Sequence, residues 1–99
     1  MNAIMDLFSL NGKNAVVTGA NTGLGQGICV ALAASGAHVF GVARRSCDET
    51  AAKIAAEGGQ FTEVRADLSD FAAIDSILEQ VHAHSDRIDI LVNNAGIIK

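Results

Sequence analysis

The chain has 99 residues, 49% of them apolar, which is enough for one small domain with a core and excludes a disordered chain. A net charge of −4 lacks the basic footprint of a nucleic-acid binder, and no apolar run approaches the roughly 18 residues of a membrane span. Asp6 interrupts the apolar N-terminus with no basic stretch before it, so no signal peptide is expected, and Cys29 and Cys47 lack framework spacing, so a reduced, cytoplasmic setting is expected.

Apolar residues in Asn14–Thr18 (NAVVT) predict a short buried strand. Residues 23–35 carry Leu24, Ile28 and Leu32 at four-residue spacing, which predicts a helix on that face, stopped by Gly36. Residues 37–42 (AHVFGV) predict a second strand. Ser46 and Glu49 have the S-x-x-E spacing of a capping box, which predicts a second helix running to about Glu57, before Gly58 and Gly59. Gln60–Arg65 alternates as QFTEVR and predicts a third strand with a more exposed face. Ile74, Ile77, Leu78 and Val81 follow the i, i+3, i+4, i+7 rule of a third helix. Residues 88–92 (IDILV) form a near-continuous apolar run, expected of a parallel strand buried on both faces. The order β-α-β-α-β-α-β argues for an α/β fold with a doubly wound parallel sheet in spatial order 3-2-1-4. There is no internal repeat, low-complexity tract or linker.

Between the first strand and the first helix lie Gly19, Asn21, Thr22, Gly23, Leu24 and Gly25, in the segment TGANTGLG. Isolated glycine spacings mean little; these sit at a strand-to-helix junction inside a βαβ unit, where a phosphate-binding turn belongs. Gly19 allows a sharp turn, Gly23 lets backbone N–H groups approach a pyrophosphate, and Gly25 lets the helix pack closely. The helix N-terminus adds unpaired donors and partial positive charge. The alternative is a tight turn with no ligand.

This spacing, preceded by Thr18, resembles the short-chain dehydrogenase/reductase family. Asp67-Leu68 after the third strand and Asn93-Asn94-Ala95-Gly96 after the fourth extend the resemblance over nearly the whole chain, in order and in register. The resemblance implies a Rossmann-like fold in which the glycine turn binds the pyrophosphate of a nicotinamide dinucleotide. It implies that Asp67, beside Leu68, accepts from the adenine amino group. It implies that Asn93, Asn94, Ala95 and Gly96 line the ribose and nicotinamide side and brace the central sheet. Taken alone, Asp67 reads equally well as a cap before Ser69 and Asp70, and Asn93-Asn94 as a turn.

The second strand ends in Val42-Ala43-Arg44-Arg45. A carboxylate near this point selects the 2′-hydroxyl of NAD, whereas an arginine accommodates the 2′-phosphate of NADP. In the family register Ala43 occupies the usual acidic position, Arg44 follows it, and no carboxylate precedes Asp48. NADP is therefore the expected cofactor, with NAD as the alternative. A solvated pair of arginines in a loop is the plainer reading of Arg44 and Arg45.

In the family a tyrosine, with a lysine four residues later, a serine and an asparagine, protonates the substrate carbonyl. The sequence contains no tyrosine. Residues 1–99 are therefore expected to be a single NAD(P)-binding domain, incomplete, with the catalytic half absent and no catalytic residue of its own. The local wording, including Gly23-Leu24-Gly25-Gln26 and Ala43-Arg44-Arg45, is similar to that of sugar-acid dehydrogenases. This implies an oxidoreductase acting on a small molecule, a sugar acid such as 2-deoxy-D-gluconate. It implies a homo-oligomer in the full-length protein, with neither nucleic acid nor membrane as partner. The alternatives are a 3-oxoacyl-carrier-protein reductase-like enzyme and a non-catalytic nucleotide-binding fragment. Cys29 is expected in the core and Cys47 in an exposed capping loop. His38 has no visible partner, His82 and His84 do not share a helical face and predict no metal, and Asp89 has no assigned role.

Overall fold

A computed structural model describes residues 9–21, 23–70 and 72–94. Four parallel strands form one sheet: β1 (Asn14–Thr18), β2 (His38–Ala43), β3 (Gln60–Arg65) and β4 (Ile90–Val92), in the order β3-β2-β1-β4. Three helices connect them: α1 (Gly23–Ala34), α2 (Asp48–Ala56) and α3 (Ala73–His82). Successive residues of a strand face opposite sides, and the core divides accordingly. Ala15, Val17 and Val39 join Cys29 and Ala33 of α1 and Ile54 of α2 on one face. Val16, Phe40, Val42 and Val64 join Val81 of α3 on the other. Helices on both faces of a parallel sheet make this an α/β doubly wound fold, as the order of elements predicts. Among the described residues, no helix is long and apolar enough to cross a membrane.

The helix faces differ from those predicted. In α1 the buried residues are Gly25, Gln26, Cys29 and Ala33, while Leu24 is 73% exposed and Ile28 and Leu32 are half-buried. The cause is the first turn. A Cβ on Gly25 would lie 1.9 Å from the Gly19 carbonyl oxygen, so the face that carries Gly25, with Cys29 and Ala33 in line with it, turns inward. In α3, Ala73 and Val81 are buried, Ile77 packs beside Val81, and Ile74 is 65% exposed.

The capping box does not form. Cys47 takes the N-cap position of α2 without a side-chain cap, and Ser46 Oγ accepts instead from Asp48 N–H (3.1 Å). The Cys47 N–H donates to the Glu63 carboxylate, supplied from β3, while Glu49 pairs with Lys53 at 3.7 Å. Cys47 is therefore buried rather than exposed, because its side chain completes the core beside Ala43.

Strand β4 starts two residues later than its apolar run suggests, and Leu91 is 68% exposed. Among the described residues, helix α3 packs over β3, and Leu91 on the edge strand stays exposed. The residues before β4 serve as a clamp on β1. Asp89 N–H donates to the Asn14 carbonyl (2.9 Å), and Asn14 N–H donates to the Asp89 carboxylate (2.9 Å). Asn14 Nδ2 also donates to Ser85 Oγ (2.7 Å) and the Arg87 carbonyl (2.9 Å). The Asn14 N–H donation, and then Arg87 2.9 Å away, hold the Asp89 carboxyl below its ordinary pKa. His38 is not partnerless either: its ring stacks on Phe40 at 4.3 Å, and Nε2 meets Thr62 Oγ1 at 2.7 Å.

Candidate functional site

In parallel register, Thr18, Ala43 and Arg65 fall at the C-terminal ends of β1, β2 and β3. The loops leaving these ends enclose a cavity of about 560 Å³ lined by Gly19, Asn21, Val42, Ala43, Arg44, Arg45, Ala66, Asp67, Leu68 and Ser69. Three separate sequence signals thus meet in one place. Gly19 and Asn21 from the first turn, the arginines after β2 and the aspartate after β3 line its walls.

The glycine turn is held from several sides. Gly19 adopts φ +66°, a left-handed conformation natural to glycine, and its N–H donates to the Val42 carbonyl (2.9 Å). Gly23, with φ +55°, opens α1, and a Cβ there would meet nothing within 4 Å. That side of the turn is therefore open to a bound group. The first turn of α1 carries no acidic residue, so nothing on it repels an anion. Gly25 lets the helix pack closely, and what it clears is the Gly19 carbonyl and Asn94 Nδ2, just beyond the ends of β1 and β4.

Asn93 and Asn94 lie outside the cavity walls and act as braces. Thr18 Oγ1 donates to Asn93 Oδ1 (3.1 Å) and accepts from Asn94 N–H (2.8 Å). Asn94 Nδ2 reaches the Gly19 carbonyl at 3.4 Å. The end of β4 is thereby fastened to the turn after β1. Leu24 points to solvent at the start of α1 and lines no wall of the cavity. Thr22, Ala95 and Gly96 fall outside the described residues.

Asp67 caps no helix, since α3 begins at Ala73 without a side-chain cap, and it fixes the turn after β3 instead. Its Oδ1 accepts from the Ser69 hydroxyl (2.7 Å) and the Ser69 N–H (3.0 Å), as a local turn would have it. It also lines the cavity opposite Arg44. The Ser69 bonds, and then the Arg44 charge, hold its carboxyl below the ordinary range, so it is an acceptor at neutral pH. An amino donor entering the cavity would find acceptor capacity left on the carboxylate, and a phosphate would find Arg44 and Arg45.

Two contributors were not readable as site residues. The Val42 carbonyl that takes Gly19 N–H is backbone and leaves no mark in a sequence. Thr50 donates to the Ala20 carbonyl at 2.7 Å. The i, i+4 pairing of Thr50 with Ile54 places it on the inner face of α2, but not its partner.

Comparison with known proteins agrees with this arrangement. A 2-dehydro-3-deoxy-D-gluconate 5-dehydrogenase from Dickeya dadantii is 44% identical over 96 residues, covering 97% of this chain and 38% of the relative. The crystal structure of a short-chain type dehydrogenase/reductase from Mycobacterium marinum superimposes with a TM-score of 0.90 at 38% identity, over 99% of this chain and 40% of that one. A candidate 2-deoxy-D-gluconate 3-dehydrogenase from Agrobacterium tumefaciens, crystallised with bound NADP, gives a TM-score of 0.78 at 50% identity, over 93% of this chain and 35% of that one. The chain thus spans about two fifths of the length of such relatives. The family model described as short chain dehydrogenase matches residues 13–99, and with the glycine turn, Asp67 and the Asn93-Asn94 brace in that register, the chain belongs to the short-chain dehydrogenase family.

Proposed function

We propose that residues 1–99 form the NADP-binding part of a cytoplasmic oxidoreductase that interconverts a secondary alcohol and a ketone on a sugar acid such as 2-deoxy-D-gluconate. The observation that carries the cofactor reading is the convergence of Arg44, Arg45 and Asp67 on one cavity beside the glycine turn. Arg44 and Arg45 suit a 2′-phosphate, Asp67 suits the adenine amino group, and the open side of Gly23 at the head of α1 suits the pyrophosphate. No carboxylate of β2 or of the arginine loop competes for the ribose. When bound, the nicotinamide supplies or accepts a hydride at C4. These residues hold and orient it, and the carbonyl's proton donor would lie outside them, since no tyrosine is present. The sugar-acid reading is supported by the printed activity of the Dickeya dadantii relative.

The test is calorimetry of NADP and NAD on the complete protein and on Arg44→Ala. Loss of a charge-assisted phosphate contact of about 1.5–3 kcal/mol predicts a drop of tenfold or more in NADP affinity with NAD little changed. An unchanged NADP-to-NAD preference rejects the assignment. Turnover of 2-deoxy-D-gluconate, set against a 3-oxoacyl thioester, tests the substrate class. Turnover of the thioester alone rejects the sugar acid.

A further inference from the structure

Beside the glycine turn, a chain of side-chain hydrogen bonds runs through the packing of α1 against α2, and none of its three side chains lines the cavity. Lys53 Nζ lies 2.8 Å from Gln26 Oε1, Gln26 Nε2 lies 3.1 Å from Thr50 Oγ1, and Thr50 Oγ1 lies 2.7 Å from the Ala20 carbonyl oxygen. The direction of every bond is settled by chemistry. An ammonium only donates, so it fixes the Gln26 oxygen toward Lys53 and the amide nitrogen toward Thr50. The Thr50 hydroxyl must then accept from Gln26, and its single proton is left for Ala20. Thr50 is fully buried and Gln26 nearly so, so water does not substitute for these bonds.

The bond has a consequence on the far side of the peptide. The 20–21 peptide is planar and trans, so its C=O and N–H point in opposite directions. Thr50 draws the Ala20 carbonyl toward α2, which turns the Asn21 N–H the other way. Asn21 stands between Gly19, on the cavity wall, and Gly23, whose open side suits the pyrophosphate. The N–H groups of Gly19 and Ala20 are both directed at the Val42 carbonyl, at 2.9 and 3.3 Å, so they do not face a ligand. Helix α2 also follows directly on the loop of Arg44 and Arg45. One helix therefore ties the arginine loop to the orientation of the glycine turn.

We propose that Thr50, oriented by Gln26 and Lys53, is a positioning residue that aims the Asn21 N–H of the glycine turn at the dinucleotide phosphates. This rests on the nucleotide reading above. The test compares NADP with 2′-AMP, which offers the arginines a 2′-phosphate but carries no pyrophosphate, on the complete protein. Thr50→Val keeps the side-chain shape and removes the hydroxyl. It is expected to weaken NADP about tenfold while leaving 2′-AMP within about twofold, and Thr50→Ser should restore NADP to within about threefold of wild type. Equal NADP affinity in Thr50→Val overturns the positioning role and leaves the nucleotide reading standing. A parallel loss of both probes overturns it too, because a structural lesion would act on both. Wild-type protein that binds neither probe removes the nucleotide reading, and this inference with it. Should Thr50→Val fail to melt cooperatively, Gln26→Met decides. A loss of about threefold or more for NADP alone supports the role, and no loss overturns it.

Discussion

Gly25 and Gly27 lie two residues apart in the same helix and respond to a methyl group in opposite ways. At Gly25 the added Cβ would sit 1.9 Å from the Gly19 carbonyl oxygen, so the turn or the helix must move. Gly25→Ala is expected to cost about 1–3 kcal/mol, the usual range for overpacking, and to weaken nucleotide binding with it. At Gly27 a Cβ meets nothing within 4 Å, and the backbone is helical. Gly27→Ala is expected to stabilise by about 0.5–1 kcal/mol through lower chain entropy in the unfolded state. Urea midpoints of the two variants check the signs. Gly23 is a third case, with open space but left-handed backbone. Gly23→Val should weaken NADP binding severely and lose about 1–2 kcal/mol of stability on conformation alone. The spacing of the three glycines marked the turn but not which backbone atom Gly25 clears. A neighbouring carbonyl carries no side-chain signature.

Among the elements, β1 and β3 fall where their residue patterns put them, because a buried apolar run and a clean alternation each have one reading. Helix α1 was harder: its large apolar residues suggested one face, whereas the close approach at Gly25 put the small ones inward. The start of α2 was hidden for a different reason. The N–H of Cys47 at its N-cap is taken by Glu63 of β3, and local sequence cannot report a partner 16 residues away. His38 at the head of β2 carries a pH prediction. Burial, and then the nearby His84, hold its pKa below the ordinary 6.5. The folded chain therefore favours the neutral ring. Above about pH 6.5 both states are neutral and stability is full. As pH falls, the unfolded chain takes the proton first, and stability declines through the folded-state value. The melting temperature should drop as pH falls below about 6.5, and His38→Asn should flatten that slope. An equal slope in the variant would place the effect elsewhere. Cys29, with its thiol pushed up to about 12 by burial and then by Cys47, should resist alkylation until the chain unfolds.

For the molecule as a whole, β4 forms one edge of the sheet among the described residues, and Leu91 stands exposed on it. Within β4 itself no proline or charge blunts pairing. Residues 1–99 made alone are expected to self-associate and to reduce no carbonyl substrate. A monodisperse monomer by light scattering would contradict the first part, and NADPH oxidation with a ketone sugar acid the second. The same strand is fastened to β1 at both ends, by Asn14 with Asp89 below and by Thr18 with Asn93 and Asn94 above. The two strands are parallel neighbours. Pulling β1 by its leading end and β4 by its trailing end therefore slides one past the other. Ladder bonds and both fastenings take the load at once, as rivets do in a lap joint, whereas β3 at the opposite edge can be peeled one bond at a time. Along that axis the sheet should hold its greatest tension at the three-residue strand that looks weakest.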